Sequence, residues 1–172
     1  MLDARELRSK RLGNEHRELM KINGPIIQIV PLGSEPYGSY RITFNIRTII
    51  SPLPAYRDRT VCTLIIPARY PMDQPKLAVD DMAPPWHVNW FRGGTWCHGH
   101  WSPEESLVNY IYRCAKTLQF DPEITNPDSP ANREAMPFWD ENKRNRRIIP
   151  CDTQKLPTVD GETLRIVIKP RA

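Results

Sequence analysis

Residues 87–103, HVNWFRGGTWCHGHWSP, contain the side chains best suited to nucleophilic chemistry. Cys97 carries a thiol, the strongest nucleophile among side chains at neutral pH. Asn89 stands eight residues before it, with a side-chain amide that can donate to an oxyanion. The Gly93-Gly94 pair between them allows a tight bend or a close backbone approach. This pattern favours acyl transfer through Cys97, with Asn89 stabilising the oxyanion or bracing the neighbouring loop.

The other thiols have different surroundings. The sequence holds four cysteines and no Cys-x-x-Cys pair, so we expect free thiols rather than a disulfide framework. Cys62 falls in an apolar strand pattern and Cys114 on an apolar helix face, so both are predicted to be core residues. Only Cys97 has polar, glycine-rich neighbours.

Histidines flank the thiol at His98 and His100. Either both are exposed loop residues, or an imidazole raises the thiolate fraction or accepts the proton of an incoming amine. Zinc binding by Cys97 with His87, His98 and His100 is a third interpretation, although Cys-His-Gly-His lacks the paired spacing of a structural zinc finger. We expect neither a metal nor a cofactor.

The rest of the chain predicts an α+β frame. Residues 2–22 predict a helix that ends before Gly24-Pro25. Its outer side is basic, with Arg5, Arg8, Lys10, Arg11 and Arg17. Short apolar or alternating runs predict four strands, at 26–30, 40–48, 61–66 and 76–79. Because consecutive strands have short connections, we expect an antiparallel meander.

A central helix is predicted to pack on this sheet. Its apolar stripe is wide and consists of Leu107, Ile111, Cys114, Ala115 and Leu118. Ser102 is predicted as the N-cap, with Pro103 at the first helical position and Glu105 closing a capping box. Residues 131–142 predict a further helix, which Pro137 should kink or shorten.

Four motifs in this order resemble those of the ubiquitin-conjugating enzymes. The family's His-Pro-Asn, its Cys eight residues later and its Trp-Ser-Pro are similar to residues 87–89 (His-Val-Asn), Cys97 and residues 101–103. Residues 70–75, YPMDQP, resemble the family's Tyr-Pro-x-x-Pro-Pro turn. Residues 129–135, SPANREA, resemble its Ser-Pro-Ala-Asn-x-x-Ala helix start.

The resemblance covers residues 1–144 and implies a ubiquitin-conjugating fold, in which an N-terminal helix and a four-stranded antiparallel meander pack with a central helix. We therefore divide the chain into a catalytic core, 1–144, and a C-terminal extension, 145–172. In the extension, Asp160-Gly161 predicts a β-hairpin turn that leads into a terminal strand.

The resemblance also implies an activity. Cys97 would accept a ubiquitin-like protein from an activating enzyme as a thioester and pass it to an amine on a target protein, with a ligase as partner where one is required. The basic side of the first helix would be a docking surface for the activating enzyme. No nucleic acid or membrane partner is expected.

Four further residues receive roles, three of them from the resemblance and His98 from its position beside Cys97. Asn89 would stabilise the oxyanion or brace its loop, and His87 would fix that loop by hydrogen bonding rather than act as a base. Asp128 adjoins Ser129, where the family often carries Asp or Ser, and would help the amine to lose its proton. His98 is a second candidate for receiving that proton.

Three departures distinguish the chain from common eukaryotic members. Val88 replaces the motif's Pro, only three residues separate Cys97 from Trp101, and the tail predicts a strand. In these three features the chain resembles the stand-alone bacterial conjugating enzymes found in antiphage operons. Those operons also encode a ubiquitin-like protein, an activating enzyme and a deconjugating metalloprotease.

Alternative functions remain open at this point. A catalytically silent binding module of the same fold would characteristically lack Cys97. A Cys-His hydrolase would need an oriented imidazole within hydrogen-bond reach of Cys97. An aromatic cluster consisting of Trp86, Trp90, Phe91, Trp96 and Trp101 exceeds what one loop needs for packing, so an exposed part of it is predicted to bind a partner.

Composition limits the classes of partner and the location that we expect for the protein. The formal charge of +4 permits an acidic partner without demanding nucleic acid. No apolar run approaches the ~18–20 residues of a membrane span. The charged stretch from Asp3 to Lys10 gives no sign of a signal peptide, so we expect a cytoplasmic protein.

Overall fold

The computed structural model describes residues 3–159 and has an α+β architecture. In chain order its elements are α1 (Ala4–Ile22), β1 (Ile27–Leu32), β2 (Ser39–Phe44), β3 (Thr48–Ser51), β4 (Ala55–Arg57), β5 (Thr60–Ile65), β6 (Lys76–Val79), α2 (Leu107–Leu118), a 3₁₀ helix (Arg133–Ala135) and α3 (Met136–Asn142). Within residues 3–159, no helix combines the length and apolar character needed to cross a membrane.

The main sheet has four antiparallel strands in the order β1-β2-β5-β6, which confirms the predicted four-stranded antiparallel sheet. The predicted strand 40–48 is too long, because the chain leaves β2 at Phe44 and begins a separate two-stranded hairpin, β3-β4. Pro52 and Pro54, which indicated only a loop, flank the tip of that hairpin. Neither of its two strands was predicted from the sequence pattern.

Alternation along β2 decides which face of the sheet is buried. Tyr40, Ile42 and Phe44 are inaccessible to solvent, whereas Arg41 is exposed. The buried face packs against Leu12 and other apolar residues of α1, and against α2. All five residues of the predicted α2 stripe are fully buried, which confirms that α2 is a central helix of the core.

The predicted start of α2 is wrong. The N-cap is Ser106, whose hydroxyl accepts a hydrogen bond from Asn109 N, and the helix begins at Leu107. Residues 102–105 form a turn instead, closed by Glu105 N donating to Ser102 O at 2.9 Å. Glu105 cannot complete a capping box at Ser102 because its carboxylate binds Arg113 and Asn109.

A buried carboxylate joins α1 to the start of α2. Glu15, 4% exposed, accepts hydrogen bonds from Arg11 Nε and from the hydroxyl of Tyr70, each at 2.7 Å. Its second oxygen accepts from Leu107 N at 2.9 Å, at the first residue of α2. Burial, and then the nearby Glu15 charge, raise the pKa of Tyr70. Glu15 thus fixes α1, the turn at Tyr70 and α2 relative to one another.

The outer side of α1 is less basic than predicted. Arg11 turns inward to Glu15 and to the carbonyl of Glu105, and Arg8 donates to the carbonyl of Pro67 at 3.0 Å. Arg5, Lys10 and Arg17 remain exposed. The basic surface of α1 is therefore smaller than its sequence indicates.

The predicted helix 131–142 is shortened, as Pro137 indicated. A 3₁₀ helix occupies Arg133–Ala135, and α3 starts at Met136 with Pro137 in its first turn. Phe138 and Trp139 of α3 join a second apolar cluster with Val88 and other residues. This cluster lies beneath the segment that leads to Cys97.

Residues 145–159 run back over the core. Gln154 Nε2 donates to Asn45 O, and Arg47 N donates to Asp152 Oδ2. Ile149 and Leu156 are buried. The predicted hairpin turn at Asp160-Gly161 and the terminal strand lie outside the described residues.

Candidate functional site

A small hairpin brings Asn89 and Cys97 together. Trp90 and Trp96 form an antiparallel bridge, and Phe91 N donates to Thr95 O at 2.9 Å. Beyond this bridge, Cys97 N donates to Asn89 O at 3.0 Å. Residues eight positions apart in the sequence therefore become backbone neighbours.

Gly94 lets this hairpin lie against the edge of the sheet. Val79 N donates to Gly94 O and Trp96 N donates to Leu77 O, each at 2.9 Å, so the hairpin continues the ladder of β6. Gly94 has φ +97°, and a Cβ there would lie 2.9 Å from Val79 Cγ2. At Gly93 a Cβ would meet no atom within 4 Å. Only the second glycine of the pair is therefore required by the geometry.

The aromatic cluster is mainly a packing feature. Trp90 and Trp96 are buried in the core, and Trp86 and Trp101 are partly buried. Phe91, 45% exposed, is the most accessible member. The predicted apolar platform is thus reduced to Phe91 and the uncovered parts of two tryptophans.

Two of the four cysteines are partly exposed, Cys97 and Cys151. Of these, Cys97 has the sulfur that is not hydrogen bonded to described residues. Cys62 and Cys114 are fully buried, and burial raises the pKa of each thiol. Cys151 is also partly exposed, but its sulfur donates to the carbonyls of Arg47 and Leu118. Burial raises the pKa of Cys151 to about 12. Cys97 is therefore the thiol most available to an external reactant.

His87 is completely buried under the site. Its Nδ1 accepts a hydrogen bond from Asn89 N at 2.9 Å, and its Nε2 lies 3.3 Å from Thr125 Oγ1. Its ring packs edge-on against Phe120, with centroids 4.5 Å apart. Burial lowers the pKa of His87 to about 3, so the imidazole is neutral at physiological pH. These contacts suit an anchor for the backbone at residues 87–89.

Asn89 braces the loop of residues 121–130. Its Nδ2 donates to Asn126 O, and its Oδ1 accepts from Asn126 N, each at 2.7 Å. The carbonyl of Val88 adds a second tie, because it accepts from Ala131 N and Asn132 N. Of the two roles considered for Asn89, the geometry supports the brace directly.

Asp128 lies on the exposed side of the braced loop. Its backbone N donates to Asn126 Oδ1 at 3.2 Å, two residues from the contact with Asn89. Within residues 3–159 its carboxylate forms no ion pair or hydrogen bond. Ser129 is exposed as well. An unengaged carboxylate on this loop can accept a proton from an amine without first breaking another contact.

His98 packs against the core rather than facing solvent freely. Its ring meets Trp96 edge-on, with centroids 5.8 Å apart, and lies 5.3 Å from the ring of Tyr110. Burial, followed by the charges of Arg113 and His100, lowers the pKa of His98 to about 4. A neutral imidazole with this low pKa is a weak proton acceptor at neutral pH. The geometry therefore gives no support to His98 as the acceptor of the amine's proton.

His100 is exposed and lines an open groove beside the segment that follows Cys97. The groove has a volume of about 570 Å³ and is lined by Met72, Asp73, Gln74, Gly99, His100 and Trp101. It separates the turn of residues 70–75 from the segment after Cys97. Trp101 Nε1 joins the two at one end by donating to Pro71 O at 2.8 Å.

Zinc binding finds no support in the geometry. No group of three His, Cys, Asp or Glu side chains within residues 3–159 is arranged to hold a metal ion. Both ring nitrogens of His87 face protein partners, so His87 cannot join Cys97 as a ligand.

Sequence comparisons leave the family unassigned. A scan against protein-family models gives no match. A search of curated proteins also gives no significant match.

Proposed function

We propose that this protein is a conjugating enzyme for a ubiquitin-like protein, with Cys97 as the thioester carrier, on a ubiquitin-conjugating fold. The observation that carries the proposal is the position of Cys97. Cys97 is partly exposed, and its backbone N–H donates to Asn89 O in a hairpin that lies on the edge of the sheet. The α+β frame and the ordered motifs support the same function.

The first step is an exchange of thioesters. The Cys97 thiolate attacks the C-terminal carbonyl of the modifier, which is bound as a thioester to the activating enzyme. The new S–C bond forms, the bond to the activating enzyme's sulfur breaks, and that sulfur leaves as a thiolate. Because the two thioesters are nearly equal in energy, the step needs an accessible thiolate and correct positioning more than a strong catalyst.

The second step transfers the modifier to an amine on the target. The amine attacks the thioester carbonyl to form a tetrahedral oxyanion, which collapses and expels the Cys97 thiolate. The proton lost by the amine goes to Asp128 or to solvent. Asn89 holds the Asp128 loop through Asn126, and its second Nδ2 hydrogen is free of described partners to donate to the oxyanion.

The partners follow from this chemistry. They are a ubiquitin-like protein, its activating enzyme, a target protein and, where transfer requires one, a ligase. We assign the open groove lined by Met72 and His100, next to the segment that follows Cys97, to a loop of one of these partners. The short segment after Cys97 and the replacement of Pro by Val88 favour the stand-alone bacterial kind, with a role in antiphage defence in the cytoplasm.

A catalytically silent binding module is the second candidate. The retention of Cys97 in an accessible position disfavours it, because a silent protein has no use for a reachable thiol. A Cys-His hydrolase is disfavoured further, because no imidazole within residues 3–159 is hydrogen bonded to Cys97 Sγ.

Loading of Cys97 tests the proposal. The protein is incubated with ATP and with any activating enzyme and ubiquitin-like protein that its neighbouring genes encode, then resolved without reductant. A thiol-labile adduct is expected on wild-type protein, a stable oxyester or no adduct on Cys97→Ser, and none on Cys97→Ala. Cys151→Ala is the matched control and should load like wild type. An adduct that persists on Cys97→Ala would disprove the assignment.

A further inference from the structure

The backbone that follows Cys97 is held differently from the rest of the site. Within the described chain, residues 98–101 make no backbone–backbone hydrogen bonds. One hydrogen bond reaches the backbone of this segment, from Arg113 Nη1 to His98 O at 2.6 Å. The side-chain contacts of His98 and Trp101 are the other ties. A segment with a single backbone tie depends strongly on the residue that makes it.

Arg113 is itself rigidly held. Its Nε and Nη2 donate to the two carboxylate oxygens of Glu105, at 2.7 and 3.0 Å, and both side chains are mostly buried, 15% and 10% exposed. Its guanidinium lies over the ring of Trp96, 5.6 Å from the centroid. This bidentate geometry fixes the plane of the guanidinium and leaves Nη1 aimed at His98 O.

We propose that Arg113 is a positioning residue for Cys97, which fixes the backbone after the nucleophile by holding the His98 carbonyl. Glu105 and Trp96 hold the guanidinium, and the guanidinium holds the peptide immediately beyond Cys97. Without this tie, the segment 98–101 opens and the sulfur loses its fixed direction toward the acyl group. This role in transfer rests on the proposed function, whereas the effect on the order of the segment does not.

Two variants distinguish the loss of the hydrogen bond from Arg113 to His98 O from a general loss of stability. Arg113→Lys keeps the positive charge next to Glu105, but an ammonium lacks the planar fork that reaches Glu105 and His98 O together. The double variant Arg113→Met/Glu105→Gln removes both charges, so no buried carboxylate is left unpaired. Arg57→Met is the matched control, because Arg57 Nη1 donates to the carbonyl of Ala83 at 2.7 Å and not to the Cys97 segment.

Site-resolved alkylation measures the order of the segment. Each protein is treated with iodoacetamide between pH 6 and pH 9, and labelling of each cysteine is followed by peptide mass spectrometry. Loss of a hydrogen bond to a charged group should speed Cys97 alkylation about tenfold in both Arg113 variants. Cys62 and Cys114 should stay unlabelled, and Arg57→Met should match wild type.

The same variants should transfer acyl groups more slowly although their thiol is more reactive toward a small reagent. Cys97 alkylation at or below the wild-type rate would overturn the positioning role. Labelling of Cys62 and Cys114 together with Cys97 would overturn it too, because it would show that Arg113 only stabilises the core. If wild-type protein fails to load, the proposed function fails, and the alkylation rates still decide whether Arg113 orders the segment.

Discussion

Cys97 divides its loop into two parts that are held in different ways. Before it, residues 87–97 are tied by backbone bonds to β6, by His87 to Thr125 and by Asn89 to Asn126. After it, residues 98–101 have one backbone tie, from Arg113. The comparison teaches that many contacts fix the backbone before the sulfur, whereas the backbone after it depends on the single hydrogen bond from Arg113.

Asn89→Ala should produce the largest effect on the first part. It removes both hydrogen bonds to Asn126, so the loop that carries Asp128 is no longer held in place for the attacking amine. We expect discharge of loaded Cys97 to an amine to slow by about 10²-fold, measured in single-turnover assays. Unfolding free energy should fall by about 1–3 kcal/mol.

Asn126→Ala is the control for this change, because it keeps both bonds to Asn89, which are made by the Asn126 backbone, and removes only the longer, exposed bond from Asp128 N to Asn126 Oδ1 at 3.2 Å. It should discharge close to the wild-type rate. Equal losses of loading and discharge in Asn89→Ala would contradict a role confined to the second step.

His87 should make stability depend on pH. Burial lowers the pKa of His87 to about 3 in the folded protein, against about 6.5 when unfolded. Between these values the unfolded chain binds more protons, so stability is full above pH 6.5 and is lost as pH falls toward 3. The loss should be about 2–3 kcal/mol between pH 6.5 and pH 4.5, measured by urea unfolding.

His87→Asn should remove most of this slope, because the amide oxygen can still accept from Asn89 N but does not titrate. An unchanged slope in the variant would show that other groups cause the acid sensitivity. The anchoring of the first part by a neutral imidazole would then need revision.

Gly94→Ala should strain the hairpin, because φ is +97° and the new Cβ would meet Val79 Cγ2 at 2.9 Å. A loss of about 1–3 kcal/mol in unfolding free energy is expected. The neighbouring Gly93→Ala, which meets open space, should change it by less than about 0.5 kcal/mol. Equal effects of the two substitutions would refute the close approach of the hairpin to β6.

Histidines in the second part should matter least. His100 is exposed, so His100→Ala should discharge within about twofold of wild type. His98→Ala should do the same, because it keeps the His98 carbonyl that Arg113 holds and removes an imidazole that is a weak proton acceptor. Single-turnover discharge across pH 6–8 measures this. A tenfold loss confined to His98→Ala, with unchanged loading, would restore His98 as the proton acceptor.

Sequence patterns predicted the buried faces of the strands and helices wherever these faces depend on the local order of apolar and polar residues. Alternation placed Tyr40 and Ile42 on the buried face of β2, and the apolar stripe placed α2 in the core. The N-cap was misplaced because Ser102 with Glu105 satisfies the local capping pattern, whereas a distant partner, Arg113, takes the Glu105 carboxylate. Capping rules contain no information about such a competitor.

The candidate site was predictable in its residues but not in its contacts. The residue types and the spacing of Asn89 and Cys97 are enough to mark their loop as a candidate site. The brace to Asn126 joins residues 37 apart, and the Glu15 contact with Leu107 joins residues 92 apart. Contacts at these separations depend on the packing of the whole sheet and both helices, which no spacing rule specifies.

The most direct test of the account is the identity of the atom that carries the modifier. Tagged protein, purified from its native host in acid without reductant and digested, should yield a Cys97 peptide joined to the C-terminal residues of a ubiquitin-like protein and released by dithiothreitol. A modifier found on another residue, or a Cys97 peptide that stays unmodified while Cys151 carries the adduct, would contradict the account.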